Sequence, residues 1–157
     1  AQKLALDAWG AHSAGLFEEC GKAVLLRHSP ERYRAMLTTA GTDDEALLLL
    51  EHAEFGVSHE ALGAALCESW GLAPTAVDCV RFHVVVNATG ELPRQLQNPS
   101  ICMLSALSNV LMKDPTLVED MVNKTAPQAA MDPAVVLAAV QGIQRQLEAA
   151  MVRQQAA

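Results

Sequence analysis

Apolar positions recur along this chain with the helical period, and no stretch alternates convincingly with the two-residue period of a strand. Val136, Val140, Ile143, Leu147 and Met151 follow one another at spacings of four, three, four and four, which draws a single apolar stripe. The opposite face carries Gln141, Gln144, Gln146, Gln154 and Gln155. From residue 59, His59, Leu62, Gly63, Leu66 and Trp70 share a face; from residue 74, Ala76, Val77, Val80, His83 and Val84 do the same. The punctuation between such stretches is clear. Gly41, Gly56 and Gly71 stand where left-handed C-terminal caps belong. Ser29-Pro30, Asn98-Pro99, Asp114-Pro115 and Asp132-Pro133 each set a capping side chain before a proline that has no N–H to leave unpaired. Thr42-Asp-Asp-Glu45 reads as a capping box, and Val57 and Leu62 as a hydrophobic staple around Ser58. The pattern predicts helices over about 1–26 (broken near Gly10 or Gly21), 30–40, 43–55, 59–70, 74–85, 99–113, 115–124 and 133–155. Residues 86–98 read as the longest loop. The Val136–Met151 stripe reads as a helix that docks and closes the core, with a partner-binding helix as the alternative.

Composition agrees with helices. Hydrophobic residues make up 51% of the 157 and aromatics only 4%, too few for a typical β-sandwich. A formal charge of −7 argues against nucleic acid as a partner, because phosphate binding needs a clustered positive surface. No apolar run approaches the roughly 18 residues of a membrane span. The chain starts at Ala1 inside an apparent uncapped helix and shows no leader, so an upstream part is expected to be missing. Cys20, Cys67, Cys79 and Cys102 form no Cys-x-x-Cys pair. They read as small buried hydrophobes in a reducing cytoplasm.

Of the five histidines, His12, His28 and His52 sit beside polar neighbours and carry no signal. His59 and His83 lie on the apolar faces of successive helices, so both imidazoles point inward. Two readings stand: a pair of buried, hydrogen-bonded histidines, or two ligands of a metal site completed elsewhere, since such a site needs at least three protein ligands.

The stretch Glu51-His-Ala-Glu-Phe55-Gly56-Val-Ser-His59-Glu-Ala-Leu62-Gly63-Ala-Ala-Leu66-Cys-Glu-Ser-Trp70-Gly-Leu72 resembles the HDOD domain. That family is an all-helical, non-catalytic relative of the HD phosphohydrolases in bacterial signalling proteins. Upstream, Gly15-Leu16-Phe17-Glu18-Glu19-Cys20-Gly21-Lys22 sits like the family's "GLLHDIGK" segment; downstream, Leu104–Asn109 sits like its "Ala-Asp" helix. The likeness covers about residues 10–113, the later part of the domain. Departures from the catalytic pattern are several. Glu18-Glu19 replaces His-Asp, His83-Val84 replaces a His-His pair, Asn109 replaces the late Asp, and the first metal-binding His of the HD enzymes would fall before Ala1.

The resemblance implies an all-α, HD-domain-like helical bundle: a core over residues 1–113 and a C-terminal helical extension over 114–157. It implies a non-enzymatic regulatory or protein-interaction domain of a bacterial signal transduction protein, with no catalytic residue, metal or cofactor. His59, His83, Glu19 and Trp70 are the residues of a structural or ligand pocket. Expected partners are a protein or a fused receiver or output module, not nucleic acid or membrane, with homo-oligomers through an apolar face at Leu4, Leu6 and Leu16, in the cytoplasm. The alternatives are a metal-dependent phosphohydrolase acting on a nucleotide and a helical scaffold that binds a small ligand.

Overall fold

The computed structural model describes residues 1–155, and all regular structure among them is helical. The helices are α1 (Ala8–Phe17), α2 (Cys20–His28), α3 (Pro30–Ala40), α4 (Asp44–Phe55), α5 (His59–Ser69), α6 (Pro74–Thr89), α7 (Pro99–Lys113), α8 (Val118–Gln128) and α9 (Pro133–Gln155), with short 3-10 turns at Gln2–Leu4 and Pro115–Leu117. No helix of the described residues is long and apolar enough to cross a membrane.

Most boundaries follow the caps. Ser58 accepts from the Ala61 N–H, Asn98 from Ser100 and Asp132 from Ala134. Gly41, Gly56 and Gly71 all take positive φ. Several boundaries differ from expectation. The first helix starts only at Ala8, because Asp7 caps it by accepting from the N–H groups of Trp9 and Gly10. It then breaks at Glu18-Glu19, ahead of Gly21. The capping box shifts by one residue: Asp43, not Thr42, accepts from Ala46 N–H. α6 runs on through Asn87 and Thr89 to a left-handed Gly90, so the expected loop shortens at its start. α8 begins after a 3-10 turn capped by Asp114 and runs four residues beyond the expected 124.

α5 packs on α6, α6 on α7, and α2 crosses α5. One apolar cluster joins Ala64, Cys67, Val77 and Val80; a second joins Ala14, Ala76, Cys79, Leu96, Ile101 and Cys102. A third joins Met103, Leu107 and Val110 of α7 to Val118, Val122 and Ala126 of α8 and Val136 of α9. Val136 is therefore the anchor of the last helix. Val140 is partly buried against the same cluster, and beyond it the stripe emerges into solvent: Ile143 and Leu147 are exposed, and Met151 is 61% exposed. The side chain of Gln155 lies outside the described residues.

The α2–α5 crossing is unusually close. A Cβ on Gly21 would stand 1.9 Å from the His59 carbonyl oxygen, and one on Gly63 would meet Cys20 Sγ at 3.2 Å and the Gly21 nitrogen at 3.3 Å. The two glycines let backbone meet backbone. This contact sets the start of α2, and with it Glu19, beside the start of α5. Gly21→Ala is expected to cost about 1–3 kcal/mol or more by overpacking against backbone that has nowhere to go; urea denaturation measures it.

Candidate functional site

His59 opens α5 directly after its Ser58 cap. Its ring is fully buried, and so is Glu51, in the last turn of α4. Glu51 is ringed by donors. The His59 backbone N–H donates to Oε2 at 2.7 Å, His59 Nδ1–H lies 2.8 Å from Oε2 and 3.0 Å from Oε1, and Tyr33 O–H donates to Oε1 at 2.5 Å. Burial alone would raise the Glu51 carboxyl; the hydrogen bonds from His59 and Tyr33 outweigh it, and the net displacement is downward. Tyr33 moves the other way, raised by its burial and by the carboxylate it faces. The hydrogen-bond partner of the buried His59 ring is thus a carboxylate eight residues back.

His83 is the residue with a carbonyl. Its Nδ1–H donates to the Val80 oxygen at 2.8 Å. The two rings lie 5.3 Å apart between centroids. Since each Nδ1 faces an acceptor, each neutral ring carries its proton there, and each Nε2 presents a bare lone pair. Both Nε2 atoms are sealed from solvent and have no hydrogen-bond partner. They face Glu19, whose Oε2 is 3.8 Å from His59 Nε2 and whose Oε1 is 3.9 Å from His83 Nε2.

Glu19 stands between α1 and α2 with its side chain 51% exposed, and the Lys22 ammonium lies 3.0 Å from its Oε2. Lys22 also reaches Asp44 at 2.8 Å, which ties α2 to α4. Burial would raise Asp44, but the ammonium groups of Lys22 and Lys113 bring it below its ordinary value. Glu60, next to His59, is pushed up chiefly by desolvation, keeps one buried oxygen unpaired, and feels both imidazoles.

The structure thus brings together Glu19, His59 and His83, whose ligand atoms all lie within 4.8 Å of one another. Two imidazole nitrogens and a carboxylate oxygen fit one divalent ion of the zinc type. Trp70 stands apart. It caps the far end of α5, about 16 Å along the axis by helical rise, is 55% exposed and packs its ring on Phe17. Glu18 is drawn off as well: it accepts from Ser105 Oγ at 2.5 Å and Asn87 Nδ2 at 3.4 Å. Asn109 lines a cleft of about 250 Å3 between α4, α6 and α7 whose walls contain neither histidine nor Glu19. The cysteines are free. Cys20 and Cys67 approach to 4.0 Å, and burial pushes the Cys67 thiol up to about 11, which makes it a packing group. Sequence reasoning quoted Glu51 in a motif but missed its role, and it missed Tyr33; a glutamate one turn after the buried Leu47 and eight residues before an inward histidine was the available signal.

An all-helical domain with this imidazole pair and its buried glutamate is of the HD-like class. The family model for the HDOD domain matches residues 1–86, and the chain belongs to that family, a relative of the HD superfamily whose members are generally non-catalytic. The likeness at Leu104–Asn109 falls outside the matched residues. No curated protein and no solved structure matches the chain.

Glu51→Gln is expected to destabilise by about 3 kcal/mol, because an amide turns a donor toward the His59 N–H groups; Tyr33→Phe removes one donor of three and costs about 1–2 kcal/mol. Chemical denaturation of both variants gives the order. The depressed Asp44 carboxyl contributes stability that is present above its ordinary value of 3.8 and lost as pH falls through its lower folded-state value. Asp44→Asn is expected to flatten the loss of stability below that pH, read from denaturation midpoints against pH.

Proposed function

We propose that this chain is a non-enzymatic regulatory or protein-interaction domain of a bacterial signal transduction protein, acting in the cytoplasm. The observation that carries this reading is the closure of the imidazole pair. Both Nε2 atoms are out of reach of solvent, so a phosphoester cannot approach them, and Glu18, at the position where catalytic relatives are expected to carry histidine, is bound to Ser105 and Asn87. Hydrolysis needs an activated water and an open position beside it. A sealed pair serves packing and alignment instead.

Residues 1–113 form the HDOD core in this reading, and 114–157 an extension held by Val118, Val122, Ala126 and Val136 against α7. Two exposed apolar stripes support a protein partner, a fused receiver or output module, or a second copy of the chain. Trp9 and Leu16 lie two turns apart on α1; Ile143, Leu147 and Met151 lie on the far half of α9. Of the face expected at Leu4, Leu6 and Leu16, Leu16 is exposed, while Leu4 is partly buried against the α7–α9 cluster.

Incubated with nucleotides, cyclic dinucleotides and an activated phosphodiester in the presence of manganese, iron or zinc, the protein is expected to turn over none of them above the blank. Turnover abolished by His83→Ala would overturn the reading. For the partner surface, Leu147→Glu is expected to leave helical content and melting unchanged while lowering any self-association seen by light scattering.

A further inference from the structure

Two unfilled surfaces of this fold lie side by side. The first is a cleft of about 640 Å3 whose floor is α7, at Leu104, Leu107 and Leu111, and whose walls are α1 and α9. The walls are hollow because small residues stand there, Ala8 and Ala11 on α1 and Ala139 on α9. The floor leucines recur at spacings of three and four, the period at which a groove accepts the anchors of a helix. The second surface is the free end of α9. Every side chain from Arg145 through Gln154 is exposed. Nearly three turns of helix thus lack tertiary packing, and so short a helix is marginal on its own hydrogen bonds. Ile143 belongs to both surfaces: it lines the cleft and opens the exposed stripe that continues through Leu147 and Met151.

We infer that the occupant is a second copy of this chain, and that two α9 helices pair antiparallel about Leu147, each laying its tip in the other's cleft. This deepens the interaction reading, on which the choice of surface rests, and commits it to one partner. Ile143 and Met151 stand four residues to either side of Leu147. A two-fold axis at Leu147 therefore sets Ile143 of one copy against Met151 of the other and Leu147 against itself, the self-complementary contact of a closed dimer. The same register brings Gln154 of one copy level with Val140 in the other's cleft wall. A parallel pair would match the stripes but hold both tips away from the clefts.

Area and charge both favour this occupant. A stable dimer needs about 800 Å2 from each partner. The stripe alone is on the order of the few hundred Å2 that a monomer surface tolerates. Two-fold symmetry adds the cleft, so each copy contributes both a stripe and a cleft to the contact. Two chains of formal charge −7 repel one another and meet best where carboxylates are sparse. None of the described residues lining the cleft is acidic, and α9 carries Arg145 and Arg153 against Glu148 alone.

The test is a dilution series of the 157-residue protein followed by sedimentation and light scattering. A mass near twice 16.7 kDa that falls to the single-chain value on dilution is expected. A concentration-dependent melting temperature and slower amide exchange between Ile143 and Met151 in the dimer go with it. Met151→Glu on the stripe is expected to weaken association about 10-fold or more. So is Ala8→Glu on the cleft wall, an exposed position at the start of α1 where a carboxylate suits the helix. With oxidised glutathione, Leu147→Cys is expected to cross-link two chains, and Val152→Cys, on the far side of the helix, is not. A single-chain mass at every concentration overturns the inference, whether the cleft stays empty or takes up a fatty acid or an unrelated amphipathic peptide. Association unchanged in Ala8→Glu, or cross-linking through Val152→Cys in place of Leu147→Cys, overturns it too. Phosphodiester turnover would sink the regulatory reading and leave these masses untouched.

Discussion

One buried carboxylate organises the site end of this molecule. Glu51 has no exposed surface, and a charge so placed is tolerated only when donors surround it. Tyr33 from α3 and both the backbone and ring N–H groups of His59 from α5 do so. Three helices are therefore fixed to one anion. The turn that ends α4 at left-handed Gly56 and begins α5 at Ser58 is fixed with them. The ring orientation of His59, the direction of its free nitrogen and its distance from His83 all follow from where Glu51 sits. This gives the Glu–Phe-Gly–His spacing a physical reason that does not require catalysis.

The second constraint is steric. Glu19 reaches the imidazoles because α2 and α5 touch backbone to backbone at Gly21 and Gly63. Larger residues at either point would separate the helices and withdraw the carboxylate. Packing and electrostatics thus converge on one place: the glycines set the approach, Glu51 sets the ring angles, and Lys22 holds the start of α2 toward α4. Nothing in this arrangement opens a path to the ring nitrogens.

Much of the fold was legible because its boundaries are written in local chemistry. Proline after Ser29, Asn98 and Asp132 and glycine at 41, 56 and 71 are short-range signals, and the structure follows them. The inward positions of His59 and His83 were legible from helical spacing: His83 shares a face with buried Ala76, Val77, Val80 and Val84, and His59 with buried Gly63 and the partly buried Leu62 and Leu66. The partners of those histidines were not. Tyr33 meets Glu51 across 18 residues and Glu19 meets His59 across 40, and no periodicity carries such distances. The break expected near Gly10 or Gly21 falls just ahead of Gly21, at Glu18-Glu19, where long-range bonds from Ser105 and Asn87 to Glu18 hold the turn. The stripe on α9 shows the converse. Its spacing correctly marks a face, but spacing does not say whether the core is long enough to cover it.

That last helix begins in the core at Val136 and leaves it within about two turns. Val140 still packs on that cluster and Lys3 of the N-terminal turn lies against Gly142, but from Ile143 to its end the helix extends about 18 Å by helical rise with its apolar side chains exposed. It is a lever arm: a load applied near Met151 exerts torque on the α7–α8 cluster that grips Val136, not on the imidazole end of the bundle. Amide hydrogen exchange along the arm should accelerate steadily from root to tip. Whatever seizes the tip therefore stiffens the helix and strains its root in the same event.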